Sequence, residues 1–200
     1  MVRHIMIDAG HGITTPGKRS PDGRLREYKY CREIAADVVF QLQQRGFDAM
    51  RVVPEQADIS LSQRCARVNA VCDRVGAKNV CLVSIHCNAA GDGTKWMSAR
   101  GWEAWTSFGQ TRGDKLADYL YEAARKYLPK GTAIRTDRSD GDDDKEAKFT
   151  ILTRSKCAAV LTENLFQDNV DDVDWLLSAE GRKAIIALHV EAITKYCESL

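Results

Sequence analysis

The chain has 200 residues, 44% hydrophobic and 28% charged, with 29 Lys+Arg against 28 Asp+Glu for a net charge of +1. That suits one domain whose core folds without crosslinks, and it excludes the broad basic field of a nucleic-acid-binding protein. No stretch approaches the ~20 apolar residues of a membrane span, so stable membrane insertion is excluded as well.

The seven cysteines (31, 65, 72, 81, 87, 157 and 197) are odd in number and form no C-x-x-C pair. They read as small core residues of a chain made in a reducing cytoplasm, not as a disulfide framework or a zinc ribbon. The N-terminus, Met-Val-Arg-His-Ile-Met-Ile-Asp, shows neither an apolar leader nor a cleavage site.

In chain order, residues 3–8 read as a short strand, followed by a Gly-, Pro- and Ser-rich loop from Gly10 to Gly23. Ile34, Val38 and Leu42 recur at helical spacing, which predicts a helix from Glu27 to Arg45 stopped by Gly46. Phe47 to Val53 reads as a strand. Ser60 with Gln63 three residues on makes a capping box for a second helix, with Leu61, Cys65, Val68 and Cys72 on one face. Val80 to His86 is nearly continuously apolar, as in a buried central strand. Gly101 to Ser107 is strand-like, and alternation puts Trp102 and Trp105 on opposite faces, so at least one belongs to the core.

Thr111 to Leu128 is a third helix, and 132–148 reads as a polar, acidic loop that could lie over a cleft. Its Asp137 to Asp144 run does not fit the register of a calcium loop. Phe149 to Leu152 and Ala158 to Leu165 read as strands, and the chain closes with helices over Val173 to Leu177 and Glu180 to Tyr196. Strands separated by helices imply an α/β fold: one three-layer domain over residues 1–200, with a mostly parallel sheet and helices on both faces. Functional groups in such sheets gather at the carboxyl ends of the strands.

His11 follows the first strand, His86 ends the buried strand, Glu163 lies in the last strand, and Glu27 begins the first helix. Two histidines and a carboxylate are the ligand types of a catalytic zinc ion with a water position left open, and a further carboxylate can take the water's proton. Their wide separation makes spacing weak evidence. His86 can equally be a satisfied core histidine, Glu27 a carboxylate at a helix N-terminus, and Glu163 a paired structural acid. His4 and His189 read as structural. Cys87 is turned by alternation away from the face that His86 uses.

Asp8-Ala9-Gly10-His11-Gly12, Leu25-Arg26-Glu27, Leu61-x-x-Arg64-x-x-x-x-Asn69-Ala70, Ser84-Ile85-His86-Cys87-Asn88-Ala89, Gly101-Trp102-Glu103 and Val160-Leu161-Thr162-Glu163-Asn164-Leu165-Phe166-x-x-Asn169 occur in that order over nearly the whole chain. Together they resemble the zinc-dependent N-acetylmuramoyl-L-alanine amidases of the AmiA/AmiC type. The resemblance implies one zinc ion per chain held by His11, Glu27 and His86, with Glu163 as general base and about six strands in the sheet. It implies peptidoglycan as partner and cleavage of the amide between N-acetylmuramic acid and the L-alanine of the stem peptide.

Three positions depart from the family's usual pattern: Cys31 for asparagine, Ala158 for proline and Leu165 for glycine. The alternatives are another zinc amide hydrolase, such as a stem-peptide carboxypeptidase, and a non-catalytic wall-binding protein. With no leader and seven cysteines, the expectation is a monomeric, phage-type lysin made in the cytoplasm that reaches the wall after release or export.

Overall fold

The computed structural model describes residues 4–200; Arg3, which the expected first strand includes, lies outside them. The strands are β1 (His4–Ala9), β2 (Asp48–Arg51), β3 (Val80–Asn88), β4 (Glu103–Thr106), β5 (Lys145–Glu146) and β6 (Ala158–Phe166). The helices are α1 (Glu27–Gln44), α2 (Leu61–Val75), α3 (Arg112–Tyr127), α4 (Thr150–Thr153), α5 (Val170–Leu177) and α6 (Ala179–Glu198). One six-stranded sheet runs in the order β2-β1-β3-β6-β4-β5. β2, β1, β3 and β6 are parallel, whereas β4 pairs antiparallel with β6 and carries β5 parallel to itself.

Local chemistry sets the helix ends. The Gln63 N–H donates to Ser60 Oγ at 3.3 Å to open α2, and α3 starts from a capping box between Thr111 and Asp114. Gly46 (φ 84°) and Gly76 (φ 87°) follow α1 and α2 in the left-handed region that a side chain disfavours. Ile34, Val38 and Leu42 of α1 are fully buried, as their spacing requires.

The sheet has a core on each face. On one, α1, α3, α5 and α6 pack around Ile5, Ile7, Val83, Ile85 and Val160. On the other, α2 and α4 cover Met6, Leu82 and Leu161. β3 and β6 lie between two covered faces, which is why they are apolar nearly throughout. Trp102 is wholly buried in the first core, and Trp105 packs at the edge of the second.

Two expectations are corrected. Phe149 to Leu152 forms no strand: Thr150–Thr153 is the short helix α4, and both Ile151 and Leu152 are buried in the same core. A four-residue apolar run carries no period that separates strand from helix. The sixth strand instead lies within the expected polar loop 132–148, as β5, and Ile134 in that segment bridges Trp102. Asp144 there is buried and accepts from Thr106 Oγ at 2.7 Å, so part of the segment is packed against the sheet edge.

All seven cysteines are buried free thiols. Six lie in neighbouring pairs, Cys31 with Cys87, Cys72 with Cys157 and Cys81 with Cys197. Burial pushes the Cys31 and Cys72 thiols up, and the neighbouring thiol together with burial does so at Cys81.

Candidate metal centre

His11 sits in the loop just after β1, in the left-handed conformation at φ 58°. Such a conformation is uncommon for a side-chain-bearing residue and persists only when its surroundings hold it. Here they do. Arg32 donates to the His11 carbonyl at 2.7 Å and the Gly10 carbonyl at 3.2 Å. Arg64 donates to the Ala9 carbonyl at 2.6 Å and the His11 carbonyl at 2.9 Å. Arg64 is itself buried and paired with Asp8 at 2.9 Å, and Asp8 also accepts from Ser84 Oγ at 2.6 Å. Gly10 is required by contact: a Cβ there would lie 2.5 Å from His86 Nδ1.

Glu27, the first residue of α1, is buried beneath both histidines. Its Oε1 lies 3.2 Å from His86 Nδ1 and 3.4 Å from His11 Nε2. The Cys87 N–H donates to the same oxygen at 3.1 Å, and Gln167 Nε2 donates to Oε2 at 2.9 Å. The imidazole rings of His11 and His86 meet edge to face, centroids 5.2 Å apart. One ligand atom from each of His11, Glu27 and His86 lies within 4.8 Å of the others, a group that can hold a metal ion. Burial alone would raise the Glu27 carboxyl, but hydrogen bonds to His11 and His86 hold it well below the usual carboxylate range. At His86 burial lowers, yet Glu27 and the charge of Glu163 raise it overall. A preformed carboxylate between two imidazoles is the electrostatic setting that a cation completes.

Glu163 stands on β6 in register with His86 on β3 and with Glu103 on β4. One of its carboxylate oxygens is buried without a hydrogen-bond partner among the described residues. Burial pushes its carboxyl up to about 8, helped by the charges of Glu27 and Glu103 and opposed by His86 and Lys18. Glu103, by contrast, is saturated: Asn88 Nδ2 donates at 2.8 Å and Arg135 Nε at 2.7 Å, and Lys145 Nζ lies 3.0 Å away. Two carboxylates side by side thus differ in environment, and the unpaired one faces the cleft.

That cleft has a volume of about 830 Å³. His11, His86 and Glu163 form its floor, and Ile59, Leu61 and Phe149 are among its walls. Gln167, which grips Glu27, carried no local signal, because its partner is 140 residues away. Cys87 points into the core against Cys31 and away from the cleft. His189 is buried in α6, donating to the Ile185 carbonyl at 2.7 Å and accepting from Thr162 Oγ at 2.9 Å. His4 pairs with Asp48 at 2.7 Å at the start of β1, far from the strand ends that form the cleft.

Solved structures share this fold. The catalytic domain of CwlV, an N-acetylmuramoyl-L-alanine amidase from Bacillus (Paenibacillus) polymyxa var. colistinus, superposes with a TM-score of 0.80 at 19% identity, covering 98% of this chain and 99% of that one. An N-acetylmuramoyl-L-alanine amidase from Clostridium difficile 630 matches with a TM-score of 0.78 at 24% identity, covering 99% and 98%. In sequence, an endolysin of Bacillus phage SPP1 is 28% identical over 204 residues; the match covers 98% of this chain and 66% of the phage protein, so the chain spans just under two thirds of that relative. The family model for N-acetylmuramoyl-L-alanine amidase, Amidase_3, matches residues 5–195, nearly the whole chain, and the protein belongs to that family.

Proposed function

We propose that this protein is a zinc-dependent peptidoglycan hydrolase that cleaves the amide between N-acetylmuramic acid and the L-alanine of the stem peptide. The observation that carries the reading is the convergence of His11, Glu27 and His86 beside the unpaired carboxylate of Glu163, at the floor of an open cleft. Two imidazoles and one carboxylate suit a zinc ion with a position left for water. Bound there, the ion supplies Lewis acidity toward the amide carbonyl and acidifies a water molecule.

The chain's own residues do the rest. Glu27 is fixed by the Cys87 N–H and Gln167, so it presents Oε1 to both histidines without rearrangement. Glu163 is the general base: it takes the proton of the attacking water and returns it to the departing L-alanine nitrogen. One of its carboxylate oxygens has no hydrogen-bond partner among the described residues and is free to take that proton. The end of the 132–148 segment reaches the cleft through Lys148 and its neighbour Phe149, which supports a role for it in covering bound substrate. The SPP1 relative supports a phage-type lysin as the setting, and one copy of the chain carries the whole donor set.

Metal content of the purified protein tests the first half: one zinc per chain in the wild type, lost in His86→Ala. Digestion of purified peptidoglycan tests the second, with intact stem peptides released from the glycan. Release of single terminal amino acids instead would point to a carboxypeptidase.

A further inference from the structure

Beside the catalytic cleft lies a second cavity of about 280 Å³, lined by Lys18, Arg19 and Arg26 and by no acidic residue. Lys18 lines both cavities, so the two adjoin. None of the three cations forms an ion pair among the described residues. The buried arginines of the site differ: Arg64 is neutralised by Asp8, and Arg32 is spent on backbone carbonyls. Arg19 and Arg26 are exposed and Lys18 is half-buried, so the cavity is an open, cationic hollow at the rim of the cleft.

The cavity is built on the segment that carries Glu27. The Glu27 N–H donates to the Lys18 carbonyl at 3.1 Å, Arg26 precedes Glu27, and Arg19 and Arg26 form an antiparallel bridge. Because Lys18 also lines the cleft that holds His11, His86 and Glu163, a group bound here lies beside that site. Two guanidinium forks and an ammonium match a carboxylate.

We propose that this cavity is a carboxylate subsite for the stem peptide. It makes the enzyme favour a free acid over a carboxamide on the residue after L-alanine, whose Cα is ~3.8 Å along the chain. The inference rests on the amidase reading and adds to it a choice among stem peptides.

The test is hydrolysis, by zinc-loaded enzyme, of two peptides that differ in one group: the γ-methylamides of N-acetylmuramoyl-L-alanyl-D-glutamate and of its D-isoglutamine counterpart, in which only the first keeps a free carboxylate. The free acid is expected to show a kcat/KM about tenfold higher, expressed mainly in KM. The ratio should fall toward one in Arg19→Met and in Lys18→Met, and shrink with added NaCl. Binding of both peptides to zinc-loaded Glu163→Gln, measured by calorimetry, separates this inference from the reading beneath it. A carboxylate preference in Kd with no turnover by the wild type would keep the subsite and remove the amidase. Equal Kd and equal kcat/KM for the two peptides would overturn the subsite, as would a preference undiminished in the Lys18→Met/Arg19→Met double variant. Inhibition by glycerol phosphate polymer without any acid-over-amide preference would overturn it in favour of a wall-polymer phosphate.

Discussion

A methyl group on Gly10 would lie 2.5 Å from His86 Nδ1, so Gly10→Ala must displace the ring or the loop. We expect Gly10→Ala to fold but to bind zinc more weakly by about 10–100-fold, the scale on which misplaced ligands act; competition with a chromogenic chelator measures it. Glu163→Gln should keep zinc and lose about 10²–10⁴-fold in turnover, since only the proposed proton-transfer group is removed. Full activity in that variant would sink the assignment. Leu165 occupies a left-handed position at φ 63° yet is buried in the core, where related amidases usually have glycine. Two effects therefore oppose in Leu165→Gly: release of ~1–2 kcal/mol of backbone strain against loss of ~2–5 kcal/mol of packing. Packing is the larger, and urea unfolding should show the variant to be less stable.

Among the elements, α2 holds the loop after β1 through one side chain. Arg64 pairs with buried Asp8 and donates to the Ala9, His11 and Ile59 carbonyls. Arg64→Ala strips buried Asp8 of its counter-charge, leaving it only Ser84 Oγ, and leaves the His11 carbonyl to Arg32 alone, so we expect a loss of ~3–5 kcal/mol in denaturant unfolding. α6 is coupled to β6 through His189, which donates to Ile185 and accepts from Thr162. Burial lowers its imidazole to about 4. The unfolded chain binds that proton from about pH 6.5 downward, whereas the folded one does so only near 4. Stability is therefore whole above that window and is lost as pH falls through it, by ~3 kcal/mol in all. His189→Gln should flatten this acid-side slope in urea titrations between pH 7 and 4; an unchanged slope would assign the loss to other groups.

Over the whole molecule the thiols give a simple check: with all seven buried, a chromogenic disulfide reagent should find almost none in the native protein and seven after denaturation. The fold was legible where the pattern is long. β3 and β6 read as buried strands because both faces of the sheet are covered there, and α1 and α2 read as helices from their spacing and caps. It was not legible at α4 and β5, four and two residues long, too short for any period to show. His11, Glu27, His86 and Glu163 could be picked out because the parallel sheet delivers strand ends to one edge, and because ordered motifs marked them. Composition and order thus determined an α/β chain and marked four candidate groups, which the structure brings together at one cleft. That Oε1 of Glu27 sits between two imidazoles, that Gln167 and two arginines hold the arrangement, and that Lys18, Arg19 and Arg26 share a cavity beside it were decided by tertiary structure alone. Periodicity reports which face of an element is buried; it carries no information on which distant side chain is waiting there.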